Sequence, residues 1–536
     1  MRIIDPISCS QRTIAFQKRR LYQIVSFMPG EGRNIKEKIV RDNTSQAGSD
    51  SSLGADVISY NLVDQNNQNE EQDSTNEDLT SIEKVELERV RTLNALNEDI
   101  PDKFTGWGLL SIVGCFFFNF NTWGSNSAFA LYLQAYINND LFPTANKMGI
   151  AAIGGFAFGS GVIFGPLINY LVGILGIKAV VMIGIVVQLA GVLLASFSTK
   201  LWQLYCTQGI MQGIGMGLIA IPSVIIVPQW FKGGPGGKRN YAVGIMCAGS
   251  GLGGIIYNIG MEPILRQHSW RWALRTQAIM CAVLNLMAAF LIRSRNKEVK
   301  PIYKIYDKTV YSIFGSQIMM LWEMFTILGY VTLMYNLGDF MRSLGYGSTE
   351  ASVVSTMVAV GIIYGRPTIG KIADYIGPIQ ATIIASWLVS LFDFAMWIPC
   401  RNYATAIVFA MFEGSLMGTI WLTMPTINGA IIGLQKFGIG MSLSWIAVGA
   451  TGIVSPVIGI ALKADGPASP TQYRHPAIFV GFSYFAAGLC LCILRGWIIA
   501  RNRLAKNCKT ESERLQVKVP IRTAVMEMLH FTGEKV

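Results

Sequence analysis

A dozen apolar stretches of about twenty residues or more, joined by short polar connections, fill residues 107–499. Some twenty apolar residues in a helix cross the hydrocarbon core of a bilayer. Lipid offers no partner to an unpaired backbone group, so each stretch must satisfy its own hydrogen bonds as a helix. The runs read as spans at 107–133, 148–168, 178–197, 202–227, 241–264, 273–293, 313–338, 351–371, 380–398, 404–427, 437–462 and 476–499. Composition agrees, because only 14% of the 536 residues are charged, against roughly 25% in soluble chains.

A basic connection, "RSRNKEVKPIYKIYDK" at 293–308, divides the spans six and six. The expected organisation is a polar cytosolic tail over 1–103, a six-helix bundle over 104–293, a basic linker over 294–312, a second bundle over 313–500 and a cytosolic tail over 501–536. The first tail carries "DQNNQNEEQDSTNED" at 64–78, too polar to collapse around a core. A short amphipathic helix is expected at 81–96. Regulatory partners for this tail and an inert spacer are both open readings. Lys232, Lys238 and Arg239, with Arg293 to Lys308, set these loops on the cytosolic side. The net charge of +11 therefore marks membrane-facing loops and not a nucleic-acid surface. The nine cysteines show no metal spacing, and His268, His475 and His530 join no catalytic or metal-like constellation. No enzyme, cofactor or metal site is expected.

The two halves repeat. "GPLINYLVGILG" at 165–176 follows span two, and "GKIADYIGP" at 370–378 follows span eight, each with Gly four residues before Asn169 or Asp374. Twelve helices in two six-helix halves with matching short turns resemble the major facilitator superfamily. The fold expected is thus an all-α membrane protein, its two pseudo-symmetric six-helix bundles related by an axis along the membrane normal, with a substrate site between them. The resemblance gives Asp374 a gating role at the cytosolic end and makes Asn169 its weakened copy.

The stretch "WFKGGPGGKRNYAVGIMCAGSGLGG" at 230–254 feeds a charged turn into a helix rich in Gly and Ala, and "GIGMG" at 213–217 gives span four a second smooth surface. Small residues let helices approach closely in lipid. "GSGLGG" is not a dinucleotide loop, since no strand precedes it. Trp230-Phe231, Lys238-Arg239 and "YAVGIMCAG" resemble the fifth-helix signature of the monocarboxylate transporter family, and "PDKFTGWG" at 101–108 keeps part of its signature before helix one. The likeness covers roughly 101–500 and is nearest to fungal permease homologues. It places Lys238 and Arg239 beside the gate.

Arg366, in "GIIYGRPTIGKIADYIG", lies fifteen residues into span eight, about 22 Å at 1.5 Å per residue. A membrane-buried Arg costs on the order of 2.5–3.5 kcal/mol, so it pairs, faces water or snorkels. The resemblance implies that its guanidinium binds a substrate carboxylate, a two-pronged match. Two departures count against proton coupling: the family's Asp one turn earlier is Ile362, and its helix-one Lys aligns with Asn126. Glu323, Asp393 and Glu413 are further intramembrane carboxyls. Asn126, Glu323, Tyr335, Asn336 and Glu413 are expected to shape the cavity with Arg366. The function expected is alternating-access transport of a small organic solute, monocarboxylate-like, in the plasma membrane or an internal one such as the vacuole. A facilitator of a larger, vitamin-like solute and a non-transporting nutrient sensor are the alternatives.

Overall fold

In a computed structural model, residues 100–138, 147–233, 236–295, 304–433, 436–464, 466, 469–505 and 517–529 are described. The amino-terminal tail up to residue 99, with the helix expected at 81–96, lies outside them, as do residues 296–303 of the linker. All regular structure among the described residues is helical. Ten helices are long and apolar enough to cross a membrane, and the pair Met148–Ile163 and Gly165–Leu175, bent by 47°, makes an eleventh. The twelfth, α1, is built without a loop from Gly106–Asn119, a π-helical Phe120–Gly124, Ser125–Ser127 and Phe129–Asn138.

The bent pair is α2. The rest follow as α3 (Ile177–Ala195), α4 (Leu201–Gln229), α5 (Arg239–Gln267), α6 (Trp270–Leu291), α7 (Phe314–Ser343), α8 (Ser348–Ile376), α9 (Pro378–Trp397), α10 (Tyr403–Ile432), α11 (Phe437–Ala461) and α12 (Arg474–Leu504). Each matches an expected span, with ends displaced by a few residues. Polar caps start some of them: Asn402 Oδ1 accepts from Thr405 N at 2.8 Å ahead of α10. Gly176, Gly377 and Gly433, at φ of 82°, 106° and 84°, stop α2, α8 and α10 in a backbone region that other residues avoid.

The small residues of α5 divide between two faces. A Cβ at Gly249 would lie 2.2 Å from Phe116 O and one at Gly253 2.3 Å from Phe120 O, so this face packs on α1 within the first bundle. On the other face, a Cβ at Gly244 would lie 2.5 Å from Arg366 O and one at Gly251 2.7 Å from Ala359 O, so that face packs on α8 across the bundles. "GIGMG" behaves likewise, with Gly213 and Gly217 against α2 and Gly215 against α3. Backbone-to-backbone approach of this kind leaves no room for a side chain. Gly249→Val is expected to lower stability by about 1–3 kcal/mol through overpacking, read as a lower thermal midpoint in detergent, and an unchanged midpoint would refute this packing.

A thirteenth helix, α13 (Ile521–Leu529), lies on the linker end of α12, where a Cβ at Gly496 would meet Ala524 O at 2.3 Å. Arg503 and Glu527 pair across that contact. Part of the carboxy-terminal tail expected at 501–536 is thus docked on α12, and α12 itself runs to Leu504.

Candidate functional site

Two sequence signatures meet at the linker end. Asp102 Oδ1 accepts from Lys232 N at 3.1 Å, and the Phe104 ring packs on Phe231, centroids 4.9 Å apart, and edge-on to Tyr241 at 5.6 Å. The segment before α1 is thereby fastened to the turn before α5. Lys238 is exposed, with its ammonium 6.0 Å over Phe104. Arg239 is half-buried, donates from Nε to Phe231 O at 3.0 Å, and faces the charges of Asp374 and Asp102.

Asp374, near the end of α8, reaches across to the first turn of α5. Its Oδ1 accepts from Asn240 N at 3.0 Å and Asn240 Nδ2 at 2.9 Å, and its Oδ2 accepts from Tyr241 N at 2.9 Å. The first amides of a helix have no intrahelical acceptor and carry positive partial charge, so a carboxylate there is favoured twice over. Gly370, one turn earlier, lets the helices close: a Cβ there would sit 2.4 Å from Asn240 O. The pseudo-equivalent contact differs. Asn169 on α2 abuts Gly438 in the first turn of α11, 2.7 Å from where its Cβ would be. Asn169 is buried, neither of its side-chain polar atoms has a partner among the described residues, and it lines a small recess with Ile221, Met441 and Trp445. One side of this end is latched by a carboxylate; the other is closed without one.

Deeper in, Arg366 is 4% exposed. Its Nη1 donates to Cys247 O and to Ser250 Oγ, both at 2.7 Å and both on α5 of the opposite bundle. Its Nε has no partner among the described residues. A Cβ at Gly418 on α10 would lie 3.1 Å from Nε and from Nη2, so the guanidinium is seated between α5 and α10. No ion pair to Arg366 occurs among the described residues. The side chain does not run along its own helix toward the membrane surface; it crosses between the bundles. Ile362, one turn earlier, is buried against Gly251 of α5, at the position where an acid was missed in the sequence.

Three residues beyond Gly418 on α10, Trp421 joins a group of rings from five helices. Trp123 of α1 and Trp421 of α10 stack with centroids 6.1 Å apart and planes 25° apart, and Trp421 stacks on Trp445 of α11 at 6.3 Å and 21°. Phe158 of α2 and Tyr330 of α7 meet Trp421 edge-on at 6.4 Å and 6.0 Å. In sequence, Trp123, Trp421 and Trp445 read as ordinary membrane composition, with room for some of them to line a cavity. The one signal available was their place near the middle of spans one, ten and eleven.

The other candidates scatter. Tyr335 Oη reaches α2, 3.0 Å from where a Cβ at Gly154 would be, so it joins the inter-bundle surface. Asn336, next in sequence, turns the other way: its Nδ2 donates to Thr332 O at 2.8 Å and lies 2.2 Å from the Cβ position of Gly459 on α11. Asn126 is half-buried and makes no side-chain hydrogen bond among the described residues. Glu323 is fully buried beside Ser444 of α11, and its carboxyl oxygens have no geometrically sound hydrogen bond. Glu413 is fully buried too, facing Asp393 of α9 and Tyr484 of α12. The surroundings of Asn336, Glu323 and Glu413 thus belong to the second bundle. Helix rotation, invisible in an all-apolar span, turns them inward. Among the described residues no group of three or more His, Cys, Asp or Glu is placed to hold a metal.

The sequence pattern of the Major Facilitator Superfamily matches residues 112–335. The chain is similar to "Probable transporter MCH2" of Saccharomyces cerevisiae, 40% identical over 442 residues that cover 82% of this chain and 92% of that protein. It is also similar to "Uncharacterized transporter ESBP6" of the same yeast, 31% identical, covering 78% of this chain and 62% of the relative. Among solved structures, the major facilitator proton:xylose symporter XylE shares the fold, with a TM-score of 0.56, 12% identity, and coverage of 72% of this chain and 94% of that one. The chain belongs to the major facilitator superfamily, as a multi-pass membrane transporter with an all-helical fold.

Proposed function

We propose that this transporter carries a small organic anion, monocarboxylate-like, by alternating access, with Arg366 as the group that recognises the negative charge. The single observation behind the reading is a guanidinium buried between the two bundles with no carboxylate partner among the described residues. A lone buried charge is unfavourable in a membrane unless function requires it. A carboxylate arriving beside Arg366 would supply the missing counter-ion, and its departure would restore the present pairing with α5. Because those partners sit on the opposite bundle, loading the site also weakens a tie between bundles. That couples occupancy to their relative motion.

Asp374 serves as the cytosolic gate in this reading, with Lys238 and Arg239 beside it and Asn169 at the unlatched copy. The plasma membrane is the proposed place of work. Proton coupling is not part of the proposal: the position one turn before Arg366 is Ile362, and Asn126 offers no titratable group. The same absence suits a larger, less acidic solute. The test is uptake of radiolabelled monocarboxylates by vesicles containing the protein, at two external pH values. Saturable uptake that does not accelerate when the outside is acidified is expected. Acid-driven accumulation would overturn the uncoupled reading, and no uptake of any organic anion would overturn the anion reading.

A further inference from the structure

We infer that the anion carried is planar and aromatic: a ring bearing a carboxylate, whose flat faces are read by Trp123 and Trp421 while Arg366 holds the charge. This rests on the anion reading above and adds the ring. Three indoles in near-parallel register, Trp123, Trp421 and Trp445, run across the boundary between the bundles. Phe158 and Tyr330 stand edge-on to the central one at interplanar angles of 70° and 80°, closing two sides. Flat rings stack offset on flat rings and meet other edges at their rims, so this arrangement suits a flat guest better than a globular aliphatic one.

The charge lies about one turn from Trp421 along α10. Gly418, against which the Arg366 guanidinium rests, precedes Trp421 by three residues on α10. That is about one helical turn, roughly 5 Å. The Trp421 carbonyl also lies 4.0 Å from Cys247 Sγ, and Cys247 O accepts from Arg366. A carboxylate joined directly or by one bond to an aromatic ring spans this separation. The stack further supplies a release mechanism. Trp123 belongs to the first bundle and Trp421 to the second, so rocking one against the other changes the gap between them. The Trp421–Trp445 pair lies within one bundle and keeps its own spacing. At 6.1 Å the gap is closed to a guest, which needs roughly 7 Å between faces at carbon–carbon contact distances near 3.5 Å. A small separation of the bundles opens it.

Indoles that merely seal the bundle boundary would give no preference between flat and puckered anions, and this decides the test. Purified protein would be titrated with radiolabelled benzoate, displaced by unlabelled benzoate or by its saturated counterpart, cyclohexanecarboxylate. Benzoate is expected to displace about tenfold better, the scale of one or two ring pairs. Trp123→Leu and Trp421→Leu should each narrow the preference toward parity, and Trp421→Phe should retain most of it. Equal displacement in the unaltered protein, or a preference that survives both leucine substitutions, overturns the inference. If the two anions bind equally but only when Arg366 is present, the ring inference falls and the anion reading stands. If neither binds, the ring inference falls, and the uptake of other monocarboxylates decides the anion reading. Should a leucine variant fail to fold, the preference of the unaltered protein and of Trp421→Phe decides.

Discussion

Arg366→Met should abolish organic-anion uptake, by on the order of a hundredfold or more, while the protein keeps its thermal stability or gains some. Hydrogen bonds to charged groups contribute about 1.5–3 kcal/mol each, and a carboxylate engages a guanidinium through two of them. Losing both accounts for the drop. The stability expectation separates a binding role from a structural one. Placing Arg within a membrane costs on the order of 2.5–3.5 kcal/mol. Two groups lose their donor: Cys247 O, which lies inside α5 and also accepts from Ser250 Oγ at 2.9 Å, and Ser250 Oγ, which keeps that bond as its donor. Removing the charge thus leaves no orphan acceptor in that helix. Arg366→Lys keeps the charge but not the planar fork, and uptake about tenfold below normal is expected. A variant that loses stability in step with uptake would make Arg366 a structural strut.

Asp374→Ala should open the linker end. Three hydrogen bonds disappear from the start of α5, where Asn240 is 1% exposed, so buried amides lose their acceptor. Each orphaned donor costs about 1–3 kcal/mol, and the lost helix-terminal charge adds about 0.3–1 kcal/mol. Together these shift a balanced two-state gate by at least tenfold. The reporter is already in place: Cys247, 3% exposed, lies on α5 two turns beyond the latch. In a background where the other cysteines are replaced, an impermeant thiol reagent on the linker side should label Cys247 about tenfold faster in Asp374→Ala. Asn169→Asp is the converse change, giving the second side a carboxylate at the first turn of α11, and should slow labelling. Unchanged rates in both variants would remove these residues from the gate.

The two results bear on different depths of one boundary. The latch holds the linker end of α5 against α8, and two turns deeper the same pair of helices is tied by Arg366. Gly244, Gly251 and Gly370 bring the two backbones close enough for both ties to form. In the proposed reading, a solute that occupies Arg366 weakens the deeper tie and leaves the outer one as the barrier to release.

How far this could be read from residues varies with the kind of information involved. The spans, their division six and six, and the repeat around Asn169 and Asp374 were legible, because apolar length and turn chemistry are local properties. The Gly-rich face of α5 was legible as a close-packing surface, but not as two surfaces serving different bundles. Arg366 declared itself as a charge in an apolar run, yet its partners on α5 lie 116 and 119 positions away in sequence. The tryptophan stack left almost no trace, since each indole alone is unremarkable in a membrane helix.

What the chain alone determined is that it must cross a bilayer about twelve times as helices, in two related halves, because lipid leaves an exposed backbone no other option. What only the tertiary structure decided is which face of each helix meets the boundary between the halves. A soluble helix betrays its inner face by polarity, but one packed among apolar helices in apolar lipid has no such contrast. A π-helical segment such as Phe120–Gly124 also shifts the register of everything after it. Tyr335 and Asn336, neighbours in sequence, accordingly face different helices, and Glu413 turns into its own bundle while Arg366 reaches out of it.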